Sequence, residues 1–540
     1  MAALTCDDVR AEMLQRTIDR LMLQRSRARI TLFDKEWENP RPLVAEISVD
    51  FEELLNDTGE GSTRLYGDNR LADWLLDELE LDADVHIVVD MAGKRWSGKA
   101  NEITDEGTED GREYITITWT HEYEHAKHVV CYANPLLLAE IQTPKLYAYA
   151  GPSATGVRTL AFLNLLRRFA PLWSLPENLF DPASWLANLN PANWPIVVLP
   201  GNVLEDTSMW CVLSTRFGML HDVIAPTLAD CGLKLEVTRW MPGDPQPAPT
   251  HFILEKPTLL IDVKDISGFV GITGTVVDGA IRFVTSVAED FINEVAEEVD
   301  IPTPGEYGIG GYLGTVPSSP WVVWRNAHRT GKTGISSWKR TTRKATAGAI
   351  VTGGHSPDWV NTGLKLLINA ALGYIGLIFG NPGLTLGLFD SQVEDVVLAF
   401  HRVANPVRQA GMGIRGPGFG EHFESTGGTG FSLSALQAIR VGFWRTRAFT
   451  SYKFQVINGA PYWVGRHFDT GTRVSAEIGR TNPQMQTDHC TALRYSHSRT
   501  QDPKWGISIG DDNDQDMPGA MLSRQIEQVR GIAQAIGVGS

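Results

Sequence analysis

Between Arg29 and Pro135 the chain alternates apolar and polar residues again and again, and this period of two constrains the fold more than any other feature of the sequence. RITLFDKEW, LVAEISVDF, VHIVVDM, KRWSG and YITITWT each place their apolar side chains on one face of an extended strand, while NDTGEG, MAGK and DEGTEDG supply turns. A first barrel-like β-domain is therefore predicted over residues 29–150. Before it, residues 1–28 read as an N-terminal helix or arm: Thr5 and Asp8 give an N-cap, and Val9, Met13, Ile18, Leu21 and Met22 a loose apolar face.

After Gly151 and Pro152 the spacing becomes helical, with Leu160, Leu163, Leu166 and Phe169 on one predicted face. Together with the run WSLPENLFDPASWLANLNPANWP and a helix from about Phe217 to Cys231, this forms a helical, Trp/Pro-rich domain over 151–232. LKLEVTRW is a strand by alternation, and MPGDPQPAP after it is a loop. Residues 233–265 are expected to join 440–517, where FTSYKFQVINGAPYWVGRHF reads as strands and turns, in a second β-domain. Residues 266–439 read as an apolar, Gly-rich insertion that includes an amphipathic helix from Ile281 to Val295. Past DDNDQD, Leu522, Ile526, Val529, Ala533 and Ile536 predict a C-terminal helix over 518–540. The expected class is α+β, mainly β: two small barrel-like domains with helical inserts.

At 540 residues the chain has room for roughly three or four domains. A net charge of −16 argues against sequence-specific nucleic-acid binding, which draws its affinity from clustered Lys and Arg, while an acidic wall still lets a duplex slide past. The five cysteines are odd in number and far apart, so they frame neither a disulfide scaffold nor a zinc ribbon and are expected to be buried thiols. The N-terminus carries acids where a secretory leader needs bases, which points to folding and assembly in a cytoplasm.

The chemical motifs fail on context. His121-Glu122-Tyr123-Glu124-His125 matches the HExxH zinc-peptidase pattern, whose histidines must lie one helical turn apart. Here it continues the strand YITITWT, an extended path that sends Glu122 away from His121 and His125. Gly411, Gly413 and Gly416 satisfy GxGxxG, but no strand is predicted before them and Pro417 follows. Gly331-Lys332-Thr333 ends like a phosphate loop, yet Asn326 stands where its first glycine belongs. Asp512, Asp514 and Asp516 imitate a calcium loop, with Met517 and Ser523 in place of its glycine and glutamate. There is no GxSxG elbow, and His489 and Cys490, adjacent on an extended segment, point apart. No catalytic, metal or cofactor-binding residue is assigned.

Two unusual stretches remain. Arg325, Arg329, Lys332, Lys339, Arg340, Arg343 and Lys344 form a basic tract without an acid, interleaved with Trp324 and Trp338, and suit lipid headgroups or phosphates. About twenty residues later no charge occurs between Lys365 and Asp390, and Leu366, Leu367, Ile368, Leu372, Ile375, Leu377, Ile378, Phe379, Leu388 and Phe389 would reach across a bilayer or line a lumen. Burial in a subunit interface is preferred for both, because Asn369, Asn381, Pro382 and the glycines make a poor straight membrane helix.

The order of the pieces carries a resemblance: a β-domain ending in YANP, the helix GVRTLAFLNLLRRF, the Trp/Pro/Asn run, LLIDVKDISG, and RHFDTGTRVSAEI near the end. The chain resembles the minor tail proteins of actinobacterial siphophages, a family similar to the tail-tip baseplate hub. That resemblance implies a non-enzymatic homotrimer at the tip of the virion tail. Its partners would be the distal tail protein, the tape measure protein, other minor tail proteins and, if the basic and uncharged stretches are exposed, the host envelope membrane. It implies no cofactor. Two other classes are kept beside it: a tail-associated cell-wall hydrolase or metallopeptidase using His121, Glu122 and His125, and a receptor- or glycan-binding protein using surface tryptophans such as Trp173, Trp185 and Trp194.

Overall fold

A computed structural model describes residues 6–77, 83–170, 189–271, 273–282, 316–325, 334–355, 400–413, 420–429, 442–443, 445–479 and 484–510, with positions 524 and 528. The chain opens with helix α1 (Cys6–Arg25). It continues through β1 (Arg29–Phe33), β2 (Arg41–Leu43), β3 (Ser48–Leu54), β4 (Glu60–Tyr66), helix α2 (Ala72–Asp77), β5 (His86–Met91), β6 (Lys94–Gly107), β7 (Glu113–His121) and helix α3 (Glu124–Lys127). These strands lie in the order β3-β4-β7-β6-β5-β1-β2, every neighbour antiparallel. Burial along β4 and β7 alternates residue by residue, as the sequence pattern requires. Leu65, Ile115, Ile117 and Trp119 thus turn inward and meet Phe51, Ile87 and Trp96 in one core.

The middle of the chain builds a second core from β8 (Val130–Cys131), β9 (Tyr147–Pro152), helix α4 (Ser153–Phe169), β10 (Ile196–Val198), β11 (Trp210–Thr215), β12 (Gly218–Met219), helix α5 (Leu220–Cys231), β13 (Leu233–Trp240) and β14 (Thr258–Asp265). Strand β14 is central in a three-stranded sheet, parallel to β10 and antiparallel to β13. Helix α4 buries Val157, Leu160, Ala161 and Leu165, a stripe rotated from the predicted face, because it packs against both β10–β14 and β9–β11. Helix α5 stops at Gly232, whose φ of +64° forms a left-handed cap that favours glycine. Trp194, expected at the surface, is buried against Phe162 at a ring separation of 5.8 Å. Trp173 and Trp185 lie outside the described residues.

The last part comprises β15 (Phe269–Val270), β16 (Val316–Pro317), β17 (Val323–Trp324), β18 (Ile335–Arg343), β19 (Ala349–His355), β20 (Phe400–Ala404), helix α6 (Pro406–Met412), β21 (Glu421–Thr429), β22 (Phe449–Val456), β23 (Arg473–Ile478), β24 (Gln484–Ser498) and β25 (Lys504–Ile509). Strand β24 pairs with β3 on one side and β25 on the other, and the sheet runs on through β22 to β18. A third core, with Trp324, Phe454, Val474 and Ile507, sits beneath this part.

The mainly-β α+β class holds, with a different closure and a different pairing. The two predicted barrels are units of one sheet that, among the described residues, has 13 strands and an open path ending at β2 and β18. Strands β13 and β14 form a separate three-stranded sheet with β10, and β17 and β18, from the stretch read as an insertion, join the later unit instead. The reason is burial: the first four residues of β14 are all buried, so the strand needs cover on both faces and finds it among the helices. A strand, β20, does precede these glycines, but Gly411 lies inside helix α6 and Gly413 caps its C-terminus with a φ of +79°. The uncharged segment 366–389, Arg329, the Gly331–Thr333 loop, the acidic turn at 511–516 and the helix beyond residue 282 lie outside the described residues. So does the C-terminal helix, except for Arg524 and Gln528, which reach Asp230 (3.0 Å) and Ser214 respectively.

Candidate functional site

The first and second cores meet at the HEYEH sequence, with Trp119 in one and Tyr123 and Ala126 in the other. Strand β7 ends at His121, the backbone turns through Glu122 and Tyr123, and α3 starts at Glu124. The extended path predicted through His125 therefore stops early. Turn bonds replace the ladder: the His125 N–H donates to the Glu122 carbonyl at 3.1 Å, and the Ala126 N–H to that of Tyr123 at 2.9 Å.

What stops the strand is the partner of Glu122. Its carboxylate is buried and bonded to the guanidinium of Arg239 on β13, with Nε at 3.2 Å, and to the Ser97 hydroxyl. Burial alone would raise this carboxyl, but Arg239 outweighs it and holds the pKa below the usual carboxylate range. The Arg239 guanidinium lies 4.0 Å from the Trp37 ring centre, and Trp37 stacks on His86 at 4.3 Å. His121 Nδ1 accepts from the Tyr123 N–H at 3.2 Å, and the Tyr123 hydroxyl meets His221 Nδ1 at 3.1 Å. Glu122 is thus engaged by an arginine rather than directed at a water, and the five residues do not form one helical turn. Among the described residues no group of three or more His, Cys, Asp or Glu side chains is arranged to hold a metal.

Beside this junction lies a cavity of about 300 Å³, lined in part by Glu53, Lys94, His121, Lys234 and Asp469. Lys94 Nζ lies 2.8 Å from Glu53 and also bonds Asp469; Lys234 Nζ lies 3.7 Å from Glu53 and donates to the Thr470 hydroxyl at 2.7 Å. Thr470 in turn donates to Glu53. The cluster joins β3 and β6 of the first unit, β13 of the middle unit and the loop before β23. Burial would raise the Glu53 carboxyl, but Lys94 and Lys234 overcome it and hold the pKa at about 2. Burial opposes the Lys94 ammonium, and Glu53 and Asp469 more than compensate, raising its pKa. Apart from His121, no sequence signal marked these residues, because their partners come from separate parts of the chain.

Acid should loosen the junction in two stages. Burial, partly offset by Glu122, pushes His86 down to about 4 and also lowers His121. Their folded pKa values lie below the unfolded value of about 6.5, so their contribution to stability is present above that pH and lost as pH falls toward 4. Glu53 acts lower down: its contribution is lost between its ordinary carboxylate range and about 2. The melting temperature should therefore drop between pH 6.5 and 4 and again below; a flat profile across the upper range would contradict the buried, neutral histidines.

The described part of the basic tract lies far from this junction in the sheet order, on edge strand β18, where Lys339, Arg340 and Arg343 are exposed and Lys344 follows. Arg325 is exposed just after β17. No described helix is long and apolar enough to cross a membrane. Cys131, Cys211, Cys231 and Cys490 are free and buried, and burial pushes the Cys131 thiol up to about 12, so these behave as inert core thiols.

The sequence model of the siphovirus ReqiPepy6 Gp37-like protein family matches residues 29–511. The chain belongs to this family. The Gp37-like chain is 31% identical over 499 residues to minor tail protein Gp28 of Mycobacterium phage L5, covering 80% of this chain and 82% of that one. Its identity to Gp28 of Mycobacterium phage D29 is 30% over the same length and coverage. It is accordingly a siphovirus minor tail protein, a component of the virion tail that associates with other tail components. Solved tail proteins align at low similarity. One from Neisseria meningitidis MC58 has a TM-score of 0.36 at 8% identity, covering 90% of this chain and 97% of that one. The 43 kDa tail protein of prophage MuSo2 from Shewanella oneidensis has a TM-score of 0.37 at 8% identity, covering 91% and 99%. Likeness at that level is too slight to bear on function, and the family assignment rests on sequence.

Proposed function

We propose that this Gp37-like protein forms the tail-tip hub of a long-tailed phage as a homotrimer, joining the distal tail protein above to the tape measure protein in its lumen and transmitting host engagement to DNA ejection. The observation that carries this reading is the fusion of two separately cored β units into one sheet through β3 and β24. Three such chains around an axis offer six β units to a sixfold tube, and a continuous hydrogen-bonded ladder holds the two units of each chain at a fixed spacing. A second observation favours self-association. On α1, Met13 and Met22 are 66% and 71% exposed, with Leu14, Ile18 and Leu21 also uncovered, an apolar surface that another chain would cover.

The metallopeptidase alternative needs Glu122 free to activate water, and the Arg239 pair speaks against it. The glycan-binding alternative loses Trp194 to the core.

Light scattering on the purified protein, alone and with the distal tail protein, tests the hub. The expected result is a mass of three chains that shifts on joining a ring of the partner. A monomer that ignores the partner would overturn the reading, and stoichiometric zinc in the same sample would restore the peptidase.

A further inference from the structure

Among the described residues, strand β18 ends the large sheet, with β22 as its strand neighbour. An ordinary strand hides one face, yet residues 336–340 are exposed without a break, so this stretch shows solvent both its faces. Its chemistry is opposite to that of the molecule: in a chain of net charge −16, Ile335–Lys344 carries four cations and no acid. The pairing register gathers them. Lys339 stands directly opposite Lys453 on one face of the β18–β22 ribbon, and Arg340 opposite Tyr452 on the other, next along from Trp338, which pairs with Phe454 and is 46% exposed.

We propose that the β18–β22 ribbon meets an anionic lipid bilayer edge-on, β18 foremost, with Lys339 and Lys453 from one face and Arg340 from the other on headgroup phosphates and Trp338 in the interfacial layer. Cations supply attraction to any phosphate surface, and the exposed indole selects among such surfaces. Its apolar body and N–H suit the depth of lipid headgroups, whereas the backbone of a duplex offers it no counterpart. The surface belongs to one chain and does not depend on the hub being trimeric.

Co-sedimentation of the full-length protein with vesicles of equal parts phosphatidylglycerol and phosphatidylcholine, and with phosphatidylcholine alone, tests this. Binding is expected to the anionic vesicles, weak or none to the neutral ones, and falling with salt. Each surface cation contributes about fivefold, so the triple variant Lys339→Ser/Arg340→Ser/Lys453→Ser should bind about a hundredfold more weakly. Trp338→Ser should lose roughly tenfold, and removal of two exposed cations elsewhere, Arg70→Ser/Arg112→Ser, should change little. Unaltered melting temperatures show that the variants are folded. Equal binding to neutral vesicles, full binding by the triple variant, or displacement by millimolar inorganic phosphate, which would mark a free-anion site, would each overturn the proposal. So would retention of DNA more tightly than vesicles by wild type but not by the triple variant.

Discussion

Replacing Arg239 with methionine should cost about 3–5 kcal/mol of stability, the effect of leaving a buried carboxylate without its cation. Glu122 and Arg239 are 1% and 4% exposed, so water cannot take over the lost partner. Methionine approximates the volume and keeps an apolar stem against Trp37, which confines the change largely to charge. Urea denaturation at pH 7 followed by tryptophan fluorescence would measure it. Two further results separate a charge effect from mere loss of packing. The deficit should shrink as pH falls, because the orphaned carboxyl takes up a proton, and Glu122→Leu with Arg239→Met should recover most of the loss. A single variant within about 1 kcal/mol of wild type, or a double variant worse than the single, would show that the pair does not hold β7 to β13.

That pair also shows where sequence reading stops. Alternation located β1, β3, β5, β6 and β7 of the first unit, though not β2 or β4, because a strand's faces are local: side chains two apart share a side whatever lies beyond. The same rule carried the strand through His125, four residues past its end at His121. The cause of the turn is Arg239, 117 positions away in sequence, and no local period encodes it. Pairing between units is likewise hidden. Strand β24 joins β3 across a gap that puts Arg494 on Asp50, 444 positions apart, and both strands read only as competent strands until they meet. Strand β13 was legible for the same reason, while β10, the second partner of β14, is a three-residue segment too short to show a period. Helix α4 was legible as a helix but not in its orientation, since two layers cover it and four apolar positions cannot indicate which pair of neighbours will dominate. The family, by contrast, was readable from the order of its pieces, which requires no knowledge of contacts.

The second large effect concerns the cluster that binds all three units. Lys94→Met should cost about 3–5 kcal/mol, because the ammonium lies between Glu53 and Asp469 with only 6% of its side chain exposed. Its loss leaves Glu53 facing Lys234 alone at 3.7 Å and removes the direct ion pair between β6 and the loop before β23. Hydrogen exchange locates the damage: amides around Asp469–Thr472 should exchange faster, while the core of β11 and α5, which the cluster does not touch, should keep its protection. A cycle with Glu53→Gln then asks whether the groups act as a unit. Independent sites add to within about 0.5 kcal/mol, so a coupling well above that is expected, and simple additivity would mean that the charges are bystanders. Apolar residues of similar volume could fill such a junction without the cost of desolvating ions. What charges add is direction: each ion pair is satisfied at one offset of β3, β6, β13 and the loop, whereas an apolar contact tolerates sliding. A tail component that must hold two β units at a fixed spacing gains from that restriction, and the coupling energy at Lys94 measures how strongly it is imposed.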